Sequence, residues 1–178
     1  MKVLAVYPGT FDPIHYGHID IAQRAALLFD QVILAVYDRP LKNLVFSPAE
    51  RLALVTEAVD GMKLANVKVT LFSGLTVQYC RSVGATVMVR GLRVFSDFEH
   101  EFRIALANRR LAPEIDTVSL ITNEEHSFIS SSSVREIASL GGDVSSLVPP
   151  HVQTALKRRF KELGDDGAGV VPMTALRD

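Results

Sequence analysis

The stretch Val3–His18, VLAVYPGTFDPIHYGH, decides the fold. Its first part, Val3–Tyr7, is an unbroken apolar run ended by Pro8-Gly9. Such a run reads as a strand buried on both faces, as in a parallel sheet covered by helices. The segment that follows, Pro8–Gly17, holds two glycines that allow a tight turn and close backbone approach. It opens straight into a helix, His18–Phe29, marked by Ile21, Ala25 and Leu28 at helical spacing. Strand, glycine loop and helix start form a ready anion site, because the first N–H groups of a helix are free and its dipole favours negative charge. Pro8–His18 is therefore expected to be a phosphate-binding loop. It is neither a Walker A loop nor a GxGxxG turn.

Working outward, the same alternation continues. Strands are expected at Val32–Tyr37, Val67–Phe72, Thr86–Val89 and Thr117–Ile121. Ser47-Pro48-Ala49-Glu50 is a capping box with proline at the first helical position, so a helix should run from there to about Val59 and stop before Gly61. Further helices are expected over Leu75–Val83, from the polar loop Arg90–Ser96 to about Leu111, after the serine run 130–133 with Ser133 and Glu136 at capping-box spacing, and over His151–Leu163. The chain is thus read as an α/β protein, a doubly wound five-stranded parallel sheet of Rossmann-like kind. Residues 1–163 form one domain in this reading, and 164–178, without periodicity, a disordered tail. In such sheets ligands bind beyond the carboxyl ends of the strands, so polar clusters after strands take priority.

Composition sets the outer limits. The chain has 178 residues, 48% hydrophobic, which suits a sizeable core. A net charge of −1 gives no global attraction to nucleic acid or a membrane surface. No apolar run approaches the length of a membrane span, and the single cysteine, Cys80, fits a reducing compartment. A cytoplasmic protein is expected.

Three clusters can carry chemistry. In the first loop, His15 and His18 can face one bound group, while too few further ligands lie nearby for zinc. Arg90-Gly91-Leu92-Arg93 after the fourth strand can clamp phosphate oxygens, or can be a solvated loop. In His126–Arg135, HSFISSSSVR, helix capping needs only one serine, and the surplus points to an anion. Lys42 alone would pass as a solvated loop residue, Cys80 as core and His151 as a surface or helix-start residue.

Together these residues resemble the nucleotidylyltransferase superfamily, whose signature is a His-x-Gly-His or Thr-x-Gly-His turn. RGLR at 90–93 with FEHE at 98–101, and SFISSS-x-VR at 127–135, narrow the resemblance to the bacterial phosphopantetheine adenylyltransferase family over residues 2 to about 160. The resemblance implies transfer of the adenylyl group of ATP to 4′-phosphopantetheine, giving dephospho-coenzyme A and pyrophosphate, with Mg²⁺ carried on the nucleotide. It implies a catalytic His18. It also implies pantetheine contacts at Thr10, Lys42, Thr76 and Arg90. The implied ATP contacts are Thr10, Phe11, His18, Gly91, Leu92, Arg93, Glu101, His126, Ser127, Phe128, Ile129, Ser130, Ser131 and Ser132. A homohexamer and feedback by coenzyme A are further expectations of the resemblance. His15 stands where the family usually has threonine, His100 where tyrosine is frequent, and His126 where an aromatic residue is frequent. The rival readings are a transferase acting on nicotinamide mononucleotide or a phospho-alcohol, a class I aminoacyl-tRNA synthetase fragment, and a nucleotide sensor without turnover.

Overall fold

The computed structural model describes residues 2–39 and 44–165. Strands β1 (Leu4–Gly9), β2 (Gln31–Tyr37), β3 (Val67–Phe72), β4 (Val87–Leu92) and β5 (Asp116–Ile121) alternate with helices α1 (Tyr16–Leu28), α2 (Pro48–Met62), α3 (Thr76–Val83) and α4 (Phe95–Leu111). A 3-10 turn (Glu124–His126), α5 (Ser131–Ser139) and α6 (Pro150–Asp165) follow. The five strands form one sheet in the order β3-β2-β1-β4-β5, every paired strand parallel. The chain builds outward from β1 to β3, then returns to lay β4 against the other side of β1. The switch in strand order therefore lies between β1 and β4.

Alternation along the central strands puts side chains on both faces. Ala5, Tyr7, Val32, Leu34 and Val36 pack with Ile21, Ala25, Val55 and Leu156 in the larger core. Val6, Ile33, Ala35 and Met88 pack on the opposite face with Val77, Cys80, Ala112 and Ile115. Both faces are covered, which is why β1 and β2 read as continuous apolar runs.

Several boundaries differ from those read in the sequence. The Ser47–Glu50 box forms with both reciprocal bonds, but α2 runs through Gly61 to Met62 and ends at Lys63 in the left-handed region. One exposed glycine costs a helix only about 1 kcal/mol, which the packing of Leu54, Val55, Ala58 and Val59 outweighs. Arg90–Leu92, expected as loop, is strand, because β4 pairs with β5 as far as Leu92 against Ile121. The cap of α5 is Ser130, whose hydroxyl accepts from the Ser133 N–H at 3.0 Å, so Ser133 is not the cap. Helix α6 extends past Leu163 to Asp165, and the tail expectation for 166–178 lies outside the described residues.

Candidate active site

A cleft of about 400 Å³ opens at the carboxyl ends of β1 and β4, at the switch point. Gly9–Asp12, His15, Gly17 and His18 line it from the first loop, Arg90, Gly91 and Arg93 from β4, Asp97, His100 and Glu101 from α4, and Ser130 and Ser131 from the start of α5. The N-terminal turns of α1 and α5 thus meet in one cavity, each with the anion preference of a helix start.

Within the first loop, aromatic rings are packed in series between two glycines. A Cβ on Gly9 would lie 2.7 Å from Phe11 Cζ. The Phe11 ring meets His18 edge-on at 5.0 Å, and His18 stacks on His15 at 3.7 Å. A Cβ on Gly17 would lie 3.1 Å from the His15 ring. Phe11 is buried at a positive φ of 51°, a strained conformation that its packing against Tyr7 and His18 holds in place.

The backbone N–H of His15 donates to His18 Nδ1 at 3.3 Å. In the neutral ring this leaves the proton on Nε2, so His18 lines the cleft as a potential Nε2–H donor. His15 is buried. Desolvation, with His18, Arg93 and His126 around it, holds its imidazole well below the ordinary value. It is neutral at pH 7 and serves as the plate on which His18 rests.

The cations of the cleft are aimed by carboxylates. Arg90 donates through Nε and Nη2 to both oxygens of Glu101 at 2.6 Å, with Nη1 3.5 Å from the Pro8 carbonyl. Arg93 donates to Asp97 at 3.1 Å and to the Ile129 carbonyl at 3.2 Å, tying β4 to the segment before α5. Burial pushes the Tyr7 phenol up, so it stays a neutral hydroxyl between these arginines.

The serine run behaves differently from its sequence reading. Ser130 and Ser133 hydroxyls lie 2.8 Å apart, and the Ser131 hydroxyl donates to the Pro13 carbonyl at 3.0 Å. Three hydroxyls of the run, those of Ser130, Ser131 and Ser133, therefore have structural duties. The Ile129 side chain is core and can contribute only its backbone, whereas the Phe128 side chain is exposed. His126 stacks beside Tyr16 at 6.1 Å. Leu92, His126, Ser127, Phe128, Ile129 and Ser132 are not among the cleft-lining residues, while Thr10, Phe11, His18, Thr76, Arg90, Gly91, Arg93, Glu101, Ser130 and Ser131 are. Lys42 lies outside the described residues.

Sequence reasoning missed a buried polar frame behind the cleft. The Asp12 carboxylate accepts from the Val45 and Phe46 N–H groups at 2.9 Å each. Arg135 donates to the Asp12 carbonyl at 2.6 Å. Arg51, 0% exposed, donates to the carbonyls of Thr10, Tyr37, Asp38 and Phe46. Asp20 receives Asn123 through backbone and side chain, joining α1 to the loop after β5. A signal existed for Arg51. It stands one turn before Leu54 and Val55 on the apolar stripe of α2, where an unpaired charge does not belong.

A family model described as cytidylyltransferase-like matches residues 6–137. With the parallel sheet and the cleft at its switch point, that match places the molecule among the nucleotidyltransferases. The chain is 57% identical over 157 residues to the phosphopantetheine adenylyltransferase of Roseiflexus sp. (strain RS-1), covering 88% of this chain and 97% of the relative. It is 53% identical to that of Methylococcus capsulatus (92% and 100% covered) and 52% identical to that of Herpetosiphon aurantiacus (89% and 94%). The chain belongs to the phosphopantetheine adenylyltransferase family. Its fold is also similar to a crystal structure assigned as a nicotinate-nucleotide adenylyltransferase from Vibrio parahaemolyticus, with a TM-score of 0.68 at 21% identity over 88% of this chain and 99% of that one.

Proposed function

We propose that this enzyme transfers the adenylyl group of ATP to 4′-phosphopantetheine, releasing dephospho-coenzyme A and pyrophosphate. Family membership gives the reaction. The observation that carries its chemistry is the meeting of two helix N-termini, two arginines and a tautomer-fixed imidazole in one cleft.

The nucleophile is a phosphate that is already anionic, so no side chain has to be activated. The protein's task is in-line placement and neutralisation of charge on the α-phosphate and the leaving pyrophosphate. Thr10, Lys42, Thr76 and Arg90 hold the acceptor in this proposal. The Glu101 carboxylate keeps the Arg90 guanidinium flat and aimed. ATP is held by Thr10 and Phe11, by Gly91–Arg93, by Glu101 beside Arg90, and by the segment His126–Ser132. Phe11 and Ile129 act there through backbone, since their side chains are core. His18 donates Nε2–H to the α-phosphate oxygen as negative charge grows. Among the described residues no group of three His, Cys, Asp or Glu side chains could hold a metal ion. In the same proposal Mg²⁺ would be carried on the phosphate oxygens of the nucleotide and would supply neutralisation of the β- and γ-phosphates.

In this reading residues 1–163 act as one unit in the cytoplasm. Among the described residues no helix is long and apolar enough to cross a membrane. A homohexamer is proposed with it. On α4, Phe98, Phe102 and Leu106 form an exposed apolar stripe, its two rings stacked at 5.9 Å, and Leu111 and Ile121 add exposed area. Coenzyme A, which shares the pantetheine arm, is the proposed feedback ligand of the same cleft.

Pyrophosphate release from ATP, measured with 4′-phosphopantetheine, nicotinamide mononucleotide and phosphocholine in parallel, tests the assignment. Turnover with 4′-phosphopantetheine alone is expected. Preference for another acceptor would replace it, and ATP binding without any turnover would favour a sensor.

A further inference from the structure

Arg51 does not line the cleft, yet its side chain donates only to backbone carbonyls, and two of these belong to residues that do line it. Its Nη1 donates to the Thr10 carbonyl at 2.8 Å and the Tyr37 carbonyl at 2.7 Å. Its Nη2 donates to the Asp38 carbonyl at 2.9 Å, and its Nε to the Phe46 carbonyl at 3.3 Å. These four acceptors come from three separate stretches: the loop after β1, the end of β2 and the residue that leads into α2. Asp12 adds a second brace between two of the same stretches, through its bonds from the Val45 and Phe46 N–H groups.

Burying a guanidinium is costly, and a helix interior facing an apolar core has no use for one as packing. What arginine offers that no other side chain does is a rigid planar fork of donors. Here the fork fixes the spacing between Thr10 and Tyr37, both of which line the cleft. Tyr37 continues into an aromatic wall through Phe72 at 5.0 Å, and Phe72 and Thr76 line the cleft too. The braced side is the β1-β2-β3 side. Arg93, Ser130 and Ser131 stand on the other side and are held by different bonds.

We infer that Arg51 is a positioning residue for the acceptor: by gathering the carbonyls of Thr10, Tyr37, Asp38 and Phe46, it sets the width of the acceptor half of the cleft. The inference rests on the proposed division of the cleft between 4′-phosphopantetheine and ATP.

The test is steady-state kinetics on the full chain carrying Arg51→Gln or Arg51→Lys, with both KM values measured well below the unfolding transition. The acceptor KM should rise about tenfold or more while the ATP KM stays within about threefold. A role in stability alone would reduce the active fraction without separating the two constants. Lysine keeps the charge but offers one nitrogen, so Arg51→Lys should behave like Arg51→Gln. Full rescue by lysine, or equal shifts in both KM values, would overturn the inference. Should both variants fail to fold, Asp12→Asn, which weakens the second brace with Arg51 in place and also loosens the carboxylate's pair with Arg135 at 3.6 Å, is read by the same two constants. The same split supports the inference, and an unchanged acceptor KM sinks it. A wild-type chain silent with 4′-phosphopantetheine would bring down the functional reading and the inference together, whereas an active wild type with unsplit variants removes the inference alone.

Discussion

The two halves of the sheet are finished to different degrees. On the β1-β2 side, Ala5, Val6, Val32, Leu34, Ala35 and Val36 are fully sealed, and even the charges, Asp12 and Arg51, are enclosed and bonded to backbone. On the β4-β5 side, Phe98, Phe102, Leu106, Leu111 and Ile121 remain exposed, and the arginines pair with carboxylates at the rim. The first half still exposes Leu27, Leu28 and Leu71, but its charges are held by backbone; the second exposes the α4 stripe, and its charges are held by side-chain carboxylates. The cleft lies on the seam, where a wall braced through backbone faces one braced through ion pairs.

The largest expected effect is at the seam itself. His18→Ala should lower kcat by roughly 10²–10⁴-fold, the loss of one donor to the transition state, with ATP affinity changing far less. Near-normal single-turnover rates would move the chemistry to the arginine side.

The contrast between the halves is tested next by truncation. Leu34→Ala, in the sealed half, should cost about 2–5 kcal/mol in urea unfolding. Phe102→Asp, in the open half, should leave the far-UV spectrum intact and shift sedimentation toward smaller species. An unchanged sedimentation profile would mean that the α4 stripe is covered by nothing.

A smaller effect concerns acid. The His15 pKa is lowered by burial in the folded state, so the unfolded chain takes up a proton that the folded chain refuses as pH falls through about 6.5. Stability should therefore fall with acid in that window, by up to about 1.4 kcal/mol per pH unit. The raised pKa of Asp12 acts in the opposite sense at lower pH, so the useful quantity is the difference from His15→Gln. Parallel stability profiles of the two proteins between about pH 5 and 7 would show that His15 is not held neutral.

The smallest effect is at Ser131. Ser131→Ala removes the bond to the Pro13 carbonyl and should cost about 1 kcal/mol of stability with little change in ATP affinity. A large loss of ATP affinity would return the hydroxyl to the list of ligand contacts.

Much of this was legible in the sequence, for identifiable reasons. Strand runs and helix spacing are local signals, and the Ser47–Glu50 box formed as written. The first loop and the Arg90–Arg93 cluster were findable because strand ends in such a fold share one edge. What escaped was set by distant partners. Arg90–Leu92 became strand through pairing with β5, and the duties of the serine run came from Pro13 and from its own cap. The partners of Arg51 and Arg135 escaped because their acceptors are carbonyls from other parts of the chain, which carry no signature of their own.

The row of rings between Gly9 and Gly17 has a mechanical consequence. It is a train of close-fitting parts with a stop at each end, and each stop is the place of a missing methyl group. Adding that methyl at Gly9 would press on Phe11 and, through it, on His18. Adding it at Gly17 would do the same from the His15 side. The His18 imidazole is thus gauged by two residues that possess no side chain, and its freedom of position is set by how little slack they leave.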